Sequence, residues 1–368
     1  MSFNIYADAL KDLSTCKRTE NDANAFSTTN NAIVDLFSTI GAMRNGDNTS
    51  NRLNAMIDAA YAEDPLLLAK CLFYARDIRG GLGEREIFRR AIYHCAIKYP
   101  DILRDNLPFI PEYGRWDDYF SLIGTPLEKD MLALIALQLN KDQLDMAAGR
   151  PVSLLAKWMP SAKTSSEKTM ELARYVCKQL NIDVRKYKVL IRDLRKAIHL
   201  LEQDMSSKNW AEIEYSKLPS QAHMRHTKAF YRNDAQRYSE YLTDVAHGDT
   251  KLNTSTLYPY EVLERVARQG TSDALEAMWR SLPDYLEGSG SNVLVIADTS
   301  GSMSGRPMFT AVSLAMYFAE RNKGPFSHMY MTFSERPELI DINPALNLYD
   351  NYEKVRNGPW GMNTNLEV

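Results

Sequence analysis

From about residue 24 to residue 285, apolar side chains recur at spacings of three and four, with short polar breaks about every 15 to 25 residues, and then the pattern stops. The next apolar segment is of another kind, since residues 292–297 read NVLVIA, a short β-branched run. Helix spacing and a strand of this sort need different packing partners, so the 368-residue chain is expected to be multidomain. The break itself, Glu287-Gly288-Ser289-Gly290-Ser291, has the composition of a flexible linker. The expected division is therefore a helical domain over 1–286, a linker over 287–291 and an α/β domain over 292–368.

Within the helical part, Asp64-Pro65 opens a helix carrying Leu67, Leu68, Cys71 and Leu72, and Gly80-Gly81 closes it. Further helices are expected over 84–98, 126–146, 184–205, 219–230, 234–245, 260–268 and 272–279. Another should run to about residue 180 from Thr164-Ser165-Ser166-Glu167, which has capping-box spacing. About a dozen helices on short loops predict an α-helical repeat, a HEAT-like α-solenoid or a ring made from one. No clean repeat is visible, and an irregular helical bundle remains open. No strand-like alternation of useful length occurs before residue 286.

In the last part, 292–297 is expected to be a central parallel strand buried on both faces, followed by the loop Asp298-Thr299-Ser300-Gly301-Ser302-Met303-Ser304-Gly305 and a helix after Pro307. Residues 328–333 and 338–341 read as two more strands, the start of a doubly wound sheet. Only 78 residues remain from Ser291, against roughly 100 to 150 for such a domain, so it is expected to be incomplete and residues 345–368 to be poorly packed.

Composition narrows the class: 45% hydrophobic and 25% charged residues with a net charge of −3 fit a globular chain and exclude disorder. No apolar run approaches the roughly 18 residues of a membrane span, and the N-terminus lacks a signal-peptide pattern, so a cytoplasmic location is expected. Cys16, Cys71, Cys95 and Cys177 are widely spaced and read as reduced core residues. His223 and His226 have zinc-ligand spacing on a helix but no evident third ligand. The segment Tyr113-Gly114-Arg115-Trp116-Asp117-Asp118 reads as a buried arginine and carboxylate network, and Trp158 as a packing anchor. No serine triad order, paired carboxylates on one loop or nucleotide-binding glycine loop is present, so no enzymatic activity is expected.

Asp298, Ser300 and Ser302 form a DxSxS pattern at the carboxyl end of the expected strand, where open α/β sheets place their ligands. One carboxylate and two hydroxyls are hard donors that select Mg²⁺, or Mn²⁺ or Ca²⁺, over zinc. A serine-rich turn capping the next helix needs no ion, and that reading stays open. Charge supplies the second candidate surface. Between Arg150 and Arg232 there are 17 Lys or Arg against 8 Asp or Glu, a net of +9. At about 100° per residue, Arg185, Lys188, Arg192, Arg195, Lys196 and His199 share one face of the 184–205 helix, opposite its apolar side chains. Such a stripe tracks a phosphate backbone, with Lys157, Lys163, Arg225, Lys228 and Arg232 as possible extensions; a solvated face paired with acidic neighbours is the alternative.

The run VLVIADTSGSMSG resembles the metal-ion-dependent adhesion site (MIDAS) of the von Willebrand factor A domain. That resemblance implies a second loop with a threonine ligand, matched by Gly361-Met362-Asn363-Thr364-Asn365 and hence Thr364, while the third loop's aspartate would lie beyond Val368. It also implies that an acidic side chain of a partner protein completes the ion's coordination. The stretches beginning at Gly80 (GGLGEREIFRRAIYH), Leu107, Leu155 and Leu218 resemble an uncharacterised family that pairs a helical region with a von Willebrand factor A domain. That family is similar to the TROVE module of the Ro ribonucleoproteins. The TROVE resemblance implies a helical ring that binds small structured RNAs or single-stranded RNA ends; no membrane association is expected, since no apolar run is long enough for a span.

Overall fold

The computed structural model describes residues 16–18, 22, 24–44, 49–198, 200–254, 256–288, 292–333 and 336–358, and most of them are helical, as the apolar spacing predicts. They fall into two compact units, Met1–Gln203 and Asp204–Val368. No helix among the described residues is long and apolar enough to cross a membrane.

The first unit opens with a ribbon that the apolar spacing does not predict: β1 (Cys16–Arg18) pairs antiparallel with β2 (Asn24–Phe26). Three residues per strand are too few for alternation to show. Helices α1 (Ala32–Thr39), α2 (Thr49–Glu63), α3 (Pro65–Arg76) and α4 (Arg85–Lys98) come next. Local chemistry sets their ends, with Asp64 accepting the Leu67 N–H at 2.9 Å and Pro65 occupying the first turn of α3. Between α3 and α4 the chain folds back so tightly that a Cβ on Gly81 would stand 1.8 Å from the Tyr74 carbonyl oxygen. Ile87, Phe88, Ala91, Ile92 and Cys95 recur on the buried face of α4 and join Leu53, Ile57, Leu68 and Cys71 in one core.

A short α5 (Pro100–Arg104) and α6 (Ile110–Tyr113) lead to a 3-10 turn at Trp116–Leu122. Here a buried arginine and carboxylate network is present, but its arginines are Arg76 and Arg89 rather than Arg115 of the segment itself. Asp118, fully buried, accepts Arg76 Nε at 2.8 Å, Arg89 Nε at 2.7 Å and the Arg115 N–H at 3.0 Å, while Arg89 also reaches Asp117 at 2.8 Å. Trp158 is half-buried, with the Arg115 guanidinium 4.5 Å above its ring. The unit continues through α7 (Glu128–Ala147), α8 (Leu155–Trp158), α9 (Glu167–Gln179) and α10 (Val184–Ala197).

Two helix ends differ from expectation. The N-cap of α9 is Ser166, which accepts the Thr169 N–H, rather than Thr164. The expected 184–205 helix is two, because Ile198 ends α10 and a separate α11 (Leu201–Ser206) comes after it. Cys71, Cys95 and Cys177 are buried and free, and burial pushes the Cys71 and Cys95 thiols up to about 11 and about 12, which makes them unreactive.

In the second unit, α12 (Ser220–Asn233), α13 (Ala235–His247), α14 (Pro259–Gln269) and α15 (Asp273–Arg280) precede the sheet. That sheet is small and mixed, in the order β3-β4-β5. β3 (Val295–Asp298) runs parallel to β4 (Met329–Phe333), pairing Val295 with Tyr330 and Asp298 with Phe333, and β5 (Leu339–Asp341) is antiparallel to β4. α16 (Arg306–Arg321) crosses from β3 to β4, and α17 (Leu348–Arg356) closes the described chain.

The last helices of the helical region pack on this sheet layer rather than standing apart. α14 lies against α16 and α17, Trp279 donates to Glu320 Oε2 at 2.6 Å, Arg321 donates to the Trp279 carbonyl at 3.0 Å, and Tyr317 donates to the Pro283 carbonyl. Two expectations fail here. β3 is an edge strand in the described sheet, with Ile296 58% exposed, not a central strand covered on both faces. Of the residues 345–368 expected to be poorly packed, 348–356 are packed, because Leu348, Tyr352 and Val355 are buried and the Leu348 N–H is held by Glu276 at 2.8 Å, while 359–368 lie outside the described residues.

Candidate functional site

In the first unit, α10 presents the basic surface. Asp183 starts the helix by accepting the N–H groups of Arg185 and Lys186 at 2.8 and 3.1 Å, and the hydrogen bonds from Lys186 and Arg185 hold its carboxyl below the usual range. Tyr187, Ile191 and Leu194 are buried on one side, with the Tyr187 hydroxyl donating to the Pro160 carbonyl at 2.7 Å. Arg185, Lys188, Arg192 and Lys196 are exposed on the other, as the spacing requires. Among the described residues Arg185, Lys188 and Lys196 have no carboxylate partner, whereas Arg192 pairs with Asp193 at 2.8 Å.

Arg195 departs from the stripe. Its guanidinium turns inward, donating to the Ala156 and Met159 carbonyls at 2.8 and 2.7 Å and to Ser161 Oγ at 2.9 Å. At 100° per residue it lies about 40° from Ile191, at the margin of the packed face, and there it satisfies carbonyls left open at the end of α8. Lys157 is half-buried with its ammonium 5.7 Å from the Trp158 ring, and Lys163 is exposed. His199 lies outside the described residues.

Arg225 and Lys228 belong to the second unit, where they form a separate exposed row with Arg232 on α12 and have no partner among the described residues. On the opposite side of that helix His223 is fully buried, donates through Nε2 to the Tyr215 carbonyl at 2.8 Å and stacks on Tyr241, with burial lowering its pKa. It is a core residue, not a zinc ligand.

The DxSxS loop leaves β3 at its carboxyl end. Asp298 Oδ1 accepts the backbone N–H of Ser300 at 2.9 Å, and the hydroxyls of Ser300 and Ser302 are 3.2 Å apart. Ser300 is buried and Ser302 exposed, and no partner is found for Asp298 Oδ2 among the described residues. The donors fit part of a hard-cation shell, with one carboxylate oxygen and two hydroxyls available. Thr364, with the whole loop 361–365, lies outside the described residues. Reasoning from sequence passed over the neighbouring aromatics, Tyr258 and Tyr260, stacked at 5.9 Å, with Arg306 5.6 Å from the Tyr260 ring. Their signal in the sequence is the Tyr-Pro-Tyr run at the start of α14.

Two family models match the chain: one described as a domain of unknown function (DUF2828) over residues 19–143 and 121–291, the other as a domain of unknown function (DUF7788) over 292–368. The uncharacterized protein L728 of Acanthamoeba polyphaga mimivirus is 30% identical over 393 aligned residues, which cover 95% of this chain and 67% of that protein. No solved structure matches the chain. Because the first model takes in most of the sequence and ends where the helical part gives way to the strand NVLVIA, the chain belongs to the DUF2828 family.

Proposed function

We propose that the protein binds RNA without altering it chemically, holding the phosphate backbone on the exposed face of α10, and that its Asp298 loop takes a hard divalent cation, Mg²⁺ first. The observation that carries this reading is the exposed row Arg185, Lys188 and Lys196, which no carboxylate among the described residues neutralises. Cations left unpaired in this way gain from releasing the counterions of a nucleic acid. The resemblance of the helical part to TROVE, and of VLVIADTSGSMSG to the von Willebrand factor A adhesion site, supports the same reading. It also supports the finer architecture proposed with it, a helical repeat closing into a ring and joined to a von Willebrand factor A-like domain.

Fluorescence anisotropy with a single-stranded RNA and a hairpin, across a salt series, tests the proposal. With three or four phosphates neutralised, log affinity should fall with log salt at a slope of about −2 to −3. Exchanging Arg185, Lys188 and Lys196 together for Glu should abolish binding in a protein that remains folded; unchanged affinity rejects the assignment.

The loop supports a second reading on its own. Asp298, Ser300 and Ser302 leave positions on Mg²⁺ open, and an acidic side chain of a protein partner would fill one of them. A Mg²⁺-dependent pull-down that survives nuclease and is lost in Asp298→Ala would favour this reading over RNA.

A further inference from the structure

The first unit contains a cleft of about 960 Å³ between α2, α4 and the 3-10 turn, lined by Asn54, Arg90, Tyr93, His94, Ile97 and Lys98. Its volume is at the upper end of the roughly 300–1,000 Å³ typical of small-molecule sites. We propose that this cleft binds a nucleoside phosphate, stacking the base on Tyr93 and holding the phosphate at Lys98.

Two sets of residues make the case. On α4, Tyr93 and Ile97 are four apart and stay 45% and 51% exposed, so an aromatic ring and an aliphatic chain stand side by side in a concave site, uncovered by any group among the described residues. A flat heterocycle covers such a pair well, whereas a compact inorganic anion would leave it wet.

The polar side is pre-set from behind. Asp58 accepts Lys98 Nζ at 2.5 Å, His94 Nε2 at 2.8 Å and the Tyr99 hydroxyl at 2.9 Å. Although burial raises its pKa, the hydrogen bonds from Lys98, His94 and Tyr99 bring it down to about 2, so the carboxylate stays charged and the imidazole carries its proton on Nε2. Lys98 and His94 thus keep hydrogen-bonding capacity for a ligand. Lys98 retains two ammonium protons, and His94 Nδ1 has no partner among the described residues. Asn54 adds an amide able to read a base edge.

Arg89 and Glu86 also line the cleft, but Arg89 is taken by Asp117, Asp118 and Glu86, so it does not serve the phosphate. The ordering of Lys98 by Asp58 lowers the entropy cost of recruiting it.

This site is distinct from the α10 row, and the nucleotide has two possible sources, free in solution or within an RNA strand. Calorimetry on the full chain with AMP, adenosine and ribose 5-phosphate, joined by anisotropy with a labelled oligoadenylate, separates them. AMP should bind at least about tenfold more tightly than ribose 5-phosphate. Tyr93→Ala should weaken AMP at least about fivefold, with Tyr93→Phe restoring it, as one lost base stack requires. Lys98→Gln should weaken AMP while leaving adenosine unchanged.

If Tyr93→Ala also weakens the oligoadenylate, the cleft takes a nucleotide of a strand; if only AMP responds, it takes a free one. Indifference of both ligands to Tyr93→Ala overturns the proposal. The α10 charge reversal keeps the two assignments apart, because it should remove oligoadenylate binding and leave AMP binding intact.

Discussion

Asp58 and Asp118 are both carboxylates with three donors, yet their settings give different consequences. Asp58 is partly exposed, and its pKa, normally near 3.8, is brought to about 2 against the opposing effect of burial. A depressed acid stabilises the fold above its unfolded pKa and loses that contribution as pH falls toward the folded one. The stabilisation is therefore complete above about pH 5 and disappears between about pH 4 and pH 2. The shift corresponds to about 1–2 kcal/mol once solvent screening of the exposed Lys98 is allowed for. Asp58→Asn should lose that amount at pH 7 and show a flatter loss of stability under acid, as urea titrations at several pH values would read.

Asp118 is fully buried between two arginines. Removing it leaves Arg76, itself buried, without its partner, and Asp118→Ala should cost about 3–5 kcal/mol at neutral pH. Gly114 is tied to the same network, since a Cβ there would approach Asp118 Oδ2 to 2.5 Å and the Ile110 carbonyl to 2.9 Å. The segment's residue types pointed to buried carboxylates at Asp117 and Asp118, but to this network its own Arg115 contributes only a backbone N–H. The remote partners Arg76 and Arg89 carry no local signal of it.

At the scale of elements, α10 shows how far periodicity reaches. The spacing of Tyr187, Ile191 and Leu194 correctly separates a packed from an exposed face. It does not say where the packed face ends. Arg195 falls on that margin and is drawn in by the unsatisfied carbonyls of α8, a demand set by residues 34 to 39 positions away. Arg195→Ala should therefore cost about 2–3 kcal/mol in thermal or urea unfolding, since hydrogen bonds from a charged group are lost. It should leave the salt slope of the proposed RNA binding unchanged. A reduced slope at unchanged stability would return Arg195 to the basic row. β3 shows the complementary failure: its β-branched composition identifies a strand, but the number of neighbours it receives depends on the rest of the sheet, and among the described residues it has one.

Across the whole molecule, the polar segment 287–291 marks a change of sequence type without marking the boundary between compact units. Trp279, Pro283 and Glu276, from before the segment, are hydrogen-bonded to Glu320, Tyr317 and Leu348 after it. A protease site placed within 287–291 should accordingly be cleaved without separation of the halves, which should co-elute in size-exclusion chromatography. Separate elution would mean that these contacts do not hold the unit together.

Helix positions, the cap at Asp64, the strand before Asp298 and the DxSxS loop were all readable in the chain, because each depends on residues within a few positions of one another. The inward turn of Arg195, the open edge of β3, the burial of Leu348, Tyr352 and Val355, and the cleft beside Tyr93 emerged with the folded molecule. A periodic pattern gives the direction of a side chain about its own helix axis or strand, but it carries no term for the distant surface that comes to lie against it.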